Sequence, residues 1–187
     1  HRYSTDKNWL LPHFEKMLYD QAMISMAYLE AFQITGNEDY GRTVREIYTY
    51  VLRDMTSPEG GFYSAEDADS DGEEGKFYLW TTDEVQSILG KEEGERFNTL
   101  LNIRPEGNFR DEASSQKTAR NIPHFITPIK EVDLGFMEKN RKTLFEVREE
   151  RIHPIKDDKI LTDWNGLMIA SFAKGSVALN SHEFYDA

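Results

Sequence analysis

Three short stretches carry residue types whose spacing could do chemistry. The first is His13-Phe14-Glu15-Lys16-Met17-Leu18-Tyr19-Asp20. His13 and Asp20 are seven residues apart, so a helix would set them on one face, with Lys16 about one turn from each. Polar groups on an otherwise apolar helix must find partners or line a cavity. His13 and Asp20 are therefore candidates for proton transfer, and equally for a structural network that fixes the helix end. Glu15 projects elsewhere and suits an ion pair. The second stretch is Leu161-Thr162-Asp163-Trp164-Asn165-Gly166-Leu167. Trp164 offers a flat apolar face and Asp163 and Asn165 offer hydrogen bonds, a set that suits a sugar ring. The plain alternative makes Asp163 an N-cap and Trp164 a core residue.

The third stretch is acidic, from Ser64 to Gly75. Asp67, Asp69, Asp71 and Gly72 match the first, third, fifth and sixth places of an EF-hand loop, but the twelfth place, a bidentate Glu, is Tyr78. No metal site is therefore expected, although a looser Ca²⁺ loop stays open. Glu66 and Asp67 could instead act as acid and base at the mouth of a pocket, since paired carboxylates are the usual glycosidase machinery. A solvated charged loop is the plain reading. No GxSxG, P-loop, HExxH or GxGxxG is present, and His124, His153 and His182 take no role.

The elements that must position these residues read mostly as helices. An apolar pattern over 12–33 predicts a helix buried on most sides, with Pro12 at its first position. Thr35-Gly36-Asn37 stops it, and 38–55 follows as an amphipathic helix. Segments 62–63 and 77–80 read as two short strands, with the acidic stretch as a long loop between them in an arm of about 61–80. Thr81 and Glu84 form a capping box for a short helix ending at Gly90. Further helices are expected at 91–102, 134–151 and 164–179, a long loop at 104–120, and a strand at 122–125. Lys16-Met17-Leu18-Tyr19-Asp20 resembles Lys159-Ile160-Leu161-Thr162-Asp163 ahead of a similar apolar helix, the mark of a helical repeat. Asp20 and Asp163 then occupy equivalent places.

The chain has 187 residues and 39% hydrophobic content, enough for a packed core. Its net charge of −12 speaks against nucleic acid and anionic membrane surfaces. No apolar run reaches the roughly 20 residues of a membrane span. Cysteine is absent, which fits a reducing compartment, and a cytoplasmic protein is expected. The chain starts at His1 without a targeting pattern and reads as one partial domain, 1–187, excised from a longer protein.

Arg2-Tyr3-Ser4, Trp9-Leu10-Leu11-Pro12-His13-Phe14-Glu15-Lys16-Met17-Leu18-Tyr19-Asp20-Gln21, residues 56–80 and Asp158-Lys159-Ile160-Leu161-Thr162-Asp163-Trp164-Asn165-Gly166-Leu167 resemble the YyaL family. Its members include spermatogenesis-associated thioredoxin-domain proteins. The resemblance implies a mainly α fold, a segment of the six-hairpin (α/α)6 toroid of N-acylglucosamine 2-epimerases and several glycosidases. The family's thioredoxin-like domain and CxxC are absent here. Carbohydrate-active chemistry follows as the expectation, either epimerase/isomerase or glycoside hydrolase. In the first, His13 or a partner His outside this stretch of sequence moves a proton beside the sugar carbonyl; in the second, two of Asp20, Glu66, Asp67 and Asp163 are acid and base. Trp164 and Tyr78 would stack on sugar rings. No cofactor is expected, and the partner is a small carbohydrate-like ligand. The rival reading is a non-catalytic ligand-binding or interaction module. Missing neighbour helices predict self-association through exposed apolar surface.

Overall fold

The first helix starts six residues later than its apolar pattern predicts, because the chain ahead of it is held in a sheet. In the computed structural model, which describes residues 2–110, 116–128 and 132–186, Lys16–Met17 form strand β1 and α1 spans Leu18–Thr35. β1 pairs antiparallel with β2 (Ala65–Glu66), whose other edge pairs antiparallel with β5 (Lys156–Asp157). The amide of Leu18 donates to the carbonyl of Ser64 and so ties the helix start to this sheet. His13 consequently precedes the helix, and its seven-residue spacing to Asp20 does not put the two on one helical face. Lys16 is likewise a strand residue.

The described residues fall into two compact units. The first contains Arg2, residues 14–68 and residues 155–186. Gly36, at φ 66°, ends α1 in the left-handed conformation that glycine adopts without strain. Asn37 then caps α2 (Glu38–Asp54) by accepting from the amide of Asp39, and this helix matches its predicted bounds. The last part of the unit supplies α6 (Thr162–Ala178) and the short α7 (Glu183–Asp186). α1 packs against both α2 and α6. Leu18, Ala22, Leu29, Val44, Val51, Met168 and Phe172 form the shared core.

A chain of hydroxyls runs through that core. The Tyr48 hydroxyl donates to the Ser171 carbonyl at 2.6 Å and lies 2.9 Å from Ser171 Oγ, which lies 2.7 Å from Ser25 Oγ. These groups are fully buried, so each needs its partner. Gly175 makes room for the phenol: a Cβ there would stand 2.3 Å from Cε2 of Tyr48.

The second unit contains residues 3–13 and 69–154. The strands expected at 62–63, 77–80 and 122–125 do not form; Phe62 makes only an isolated bridge to Thr56, and Trp80 one to Asn121. The hairpin lies inside the acidic stretch. β3 (Asp69–Ser70) pairs with β4 (Glu73–Glu74). Asp71 and Gly72, at φ 51° and 76°, form the turn between them, and Asp-Gly is a preferred pair for a two-residue hairpin. Thr81 and Glu84 form the expected capping box of α3 (Thr82–Leu89). α4 (Lys91–Leu100) follows at once, and Asp133 caps α5 (Leu134–Glu149). Trp80, Val85, Phe97, Leu101, Ile103 and Leu144 make this unit's core. The polar stretch 104–120 carries no helix or strand in its described parts; residues 111–115 lie outside them. Buried Asn121 anchors it, accepting from the Arg104 amide at 2.8 Å and donating to the Trp80, Arg104 and Ala119 carbonyls. Among the described residues no helix is long and apolar enough to cross a membrane.

The hydroxyl chain and its glycine make a direct test of the first unit's packing. Gly175→Ala forces a methyl group into Tyr48, where the buried ring has no room to retreat. The expected loss is about 1–3 kcal/mol by urea denaturation, despite the usual helical advantage of alanine over glycine. An unchanged midpoint would mean that α2 and α6 separate freely.

Candidate functional site

The first turns of α1 and α6 both follow a strand that flanks β2, and this places the two candidate motifs in one unit. β1 and β5 are each antiparallel to β2, so they run parallel to each other, and each leads into its helix. The rings of Tyr19 and Trp164, one from each first turn, meet edge to face at 4.9 Å. Asp20 follows the first of these aromatics and Asp163 precedes the second.

Asp20 is the more enclosed of the two carboxylates, with 21% of its side chain exposed. Its Oδ2 lies 3.5 Å from Nε of Arg2, whose Nη1 also holds Oε2 of Glu15 at 2.9 Å. Glu15 thus makes the ion pair that its position predicts. Burial pushes the Asp20 carboxyl above its ordinary range; Arg2 opposes this without cancelling it, and the charge of Glu15 adds to it. The Arg2 guanidinium also lies 6.0 Å from the centre of the Tyr19 ring. Asp163 is exposed, and its Oδ1 accepts from the amide of Trp164 at 3.0 Å.

The other candidates have different surroundings. Asn165 is buried and its amide is occupied by main chain: Oδ1 accepts from the Phe62 amide at 2.7 Å, and Nδ2 donates to the Phe62 and Leu161 carbonyls at 3.0 Å. It brackets the loop before β2 to the start of α6. Glu66 is buried in β2 and pairs with Nζ of Lys16 at 3.1 Å. Asp67 is exposed, and its amide donates to the Ile155 carbonyl. His13 and Tyr78 belong to the second unit. His13 stacks on Tyr3 at 4.9 Å. Tyr78 packs against Phe77 at 5.0 Å, with the Arg148 guanidinium 5.5 Å from its centre.

The acidic hairpin is held by cations of its own unit. Lys76 Nζ lies 2.7 Å from Asp71 and 3.1 Å from Glu73, and Arg120 lies 2.5 Å from Glu73. Among the described residues no group of three or more His, Asp or Glu is placed to hold a metal ion. A cleft of about 670 Å³ in the second unit is lined by Lys76, Arg120, Arg151, Glu84 and Glu150, among others. Most of these charges already face one another: Arg151 lies 3.5 Å from Glu84, donates to the Phe77 and Leu79 carbonyls, and covers the Trp80 ring at 3.9 Å. Sequence reasoning missed Arg2 and Tyr19. Tyr19 lay within a motif already singled out, whereas nothing in the spacing connects Arg2 with Asp20.

The chain is 38% identical to spermatogenesis-associated protein 20 of Homo sapiens, in an alignment covering 92% of this chain and 25% of that protein. It is 39% identical to spermatogenesis-associated protein 20 of Mus musculus, covering 96% of this chain and 26% of that protein. The chain therefore spans about a quarter of the length of the curated relatives it matches. No family model matches it.

The enclosure of Asp20 has a measurable sign. A carboxyl that ionises less readily folded than unfolded holds more protons in the native state over the intervening pH range. Stability then falls as pH rises from the ordinary value of 3.8 through the raised one. Asp20→Asn removes the effect. Relative to the parent, the variant should be more stable at neutral pH, and the gain should vanish below the ordinary carboxylate range. Thermal melts across that range check this; a variant destabilised at neutral pH would contradict the enclosure.

Proposed function

The chain belongs to the spermatogenesis-associated protein 20 family, and on that premise we propose that it forms part of a carbohydrate-active domain whose acid is Asp20. The observation that carries this reading is the juxtaposition at the two first turns: an enclosed carboxyl, a guanidinium and a pair of aromatic rings. A partly desolvated carboxylic acid retains its proton to higher pH and can donate it to a glycosidic or ring oxygen. Trp164 and Tyr19 supply apolar faces for a sugar ring. Arg2 keeps Glu15 and Asp20 from repelling each other while the carboxyl is charged. Asp163, exposed beside Trp164, serves as the second carboxylate.

The architecture we propose around this site is a segment of an (α/α)6 toroid with α1 and α6 as inner helices and α2 as an outer one. The direct packing of α1 on α6, and of α2 on α1, is what that arrangement requires. The absence of cysteine supports a reducing, cytoplasmic setting. A second reading, a non-catalytic binding module, draws on Asn165 and Glu66, which the fold itself engages.

Turnover of a panel of reducing sugars and glycosides by a protein of family length carrying this region separates the two readings. Asp20→Asn should lower kcat by about 10²–10⁴-fold with little change in KM, the usual loss of a general acid. Trp164→Ala should chiefly raise KM. Sugar binding without turnover, unaltered by Asp20→Asn, would favour the binding module instead.

A further inference from the structure

Residues 3–13 form a closed loop of the second unit, and one carboxylate organises it. Oδ1 of Asp6 accepts from the amides of Leu10 and Leu11 at 2.8 and 2.9 Å, and Oδ2 accepts from the amide of Asn8 at 3.1 Å. The Ser4 hydroxyl lies 2.8 Å from Oδ1 of Asp6, and the amide and hydroxyl of Thr5 both donate to the Leu11 carbonyl. At the neck of the loop Ser4 bridges Pro12, the His13 amide donates to the Tyr3 carbonyl, and the rings of Tyr3 and His13 stack. Inside this frame stands Trp9. Its φ is 58°, a left-handed backbone that is unfavourable for a bulky side chain. Its side chain is 83% exposed, and among the described residues the indole makes no hydrogen bond or ring contact. The loop therefore enforces a strained conformation that no contact of the ring rewards. Strain imposed in this way clusters at functional sites, and compact loops with joined ends often carry them.

We propose that Trp9 is a stacking platform for a saccharide ring, a binding site separate from the Asp20 carboxyl. The ligand class follows from what surrounds the indole. Lys7 and Asn8, the two residues before it, are exposed and polar. A nucleobase would bring phosphates to a chain of net charge −12. A bilayer would require apolar companions in the same surface and basic ones around them. A protein hot spot sits at the centre of a packed, desolvated patch, whereas this ring stands among polar groups. A sugar requires only one flat apolar face for its C–H side and hydrogen-bonding groups beside it for its hydroxyls. The indole supplies the first; its own Nε1–H, the Asn8 amide and the Lys7 ammonium supply the second. The Asp6 network fixes the backbone beneath the ring in advance, so less freedom is lost on binding. This site shares its ligand class with the function proposed above and uses none of that site's residues.

Calorimetric titration of a protein of family length carrying this region, with cello-, malto- and chito-oligosaccharides, tests this. Binding is read without turnover, so the result is independent of the role of Asp20. One of these series should bind, and the bound sugar should shield Trp9 from acrylamide, read as the emission difference between the parent and Trp9→Phe. Trp9→Ala should weaken binding by about tenfold or more. Trp9→Tyr, which keeps a planar ring, should retain most of it, and Asp6→Ala should weaken it with the indole still present. Trp9→Gly should lose binding as Trp9→Ala does yet melt no lower than the parent, because glycine takes the left-handed backbone without strain. A Trp9→Gly variant that melts well below the parent would make the ring structural and overturn the proposal. So would an indole already shielded from acrylamide before sugar is added, an affinity unchanged by Trp9→Ala, or no binding in any of the three series.

Discussion

The arrangement of the first unit depends on one buried contact, the Tyr48 hydroxyl against the backbone and side chain of Ser171. It joins α2 to α6, and Ser25 extends it to α1. Hydrophobic burial alone would hold these three helices together in many rotational settings. A hydroxyl that has left water must find its partner, and these three find one another in a single register. Gly175 is part of the same constraint, since only the absent Cβ lets the phenol reach. That register sets which residues of α1 and α6 meet at their first turns.

The strand β2 performs the second half of the positioning. Its two edges hold β1 and β5, so the chain enters α1 and α6 from neighbouring strands of one sheet. Asn165 ties the start of α6 to Phe62, just ahead of that sheet. Glu66 and Lys16, paired across it, neutralise each other inside the structure. These polar residues therefore set geometry, and the carboxyl left with unrelieved desolvation is Asp20. Arg2 tempers that state but does not abolish it. The raised pKa of the Asp20 carboxyl follows from that imbalance.

Much of this was legible in the sequence where the signal is local. The periodicity of α2, the capping box at Thr81 and Glu84, and the stop at Gly36 each rest on neighbours within a few residues, and each appears as expected. The start of α1 was misread because a two-residue strand has no periodicity of its own; Lys16 and Met17 are extended only because Glu66 and Ala65 lie opposite. The hairpin was misplaced because its charged strands lack β-branched residues, while its turn, Asp71-Gly72, does carry the ordinary signature. The likeness between the segments before α1 and α6 is matched by their shared strand partner, though Lys159-Ile160 is not itself a strand. The meeting of Arg2 with Asp20 was illegible, because nothing in one chain's spacing reports a contact made through tertiary structure.

The account stands on the protonation of Asp20, and carboxyl-carbon NMR reads it directly. Aspartate-selective ¹³C labelling of the chain, with Asp20→Asn to assign the resonance, gives the titration of that one group. The account predicts a midpoint above the ordinary carboxylate range, rising further when Arg2→Ala removes the opposing cation. A midpoint at or below the ordinary range in the parent chain, or one that falls when Arg2 is removed, would contradict it.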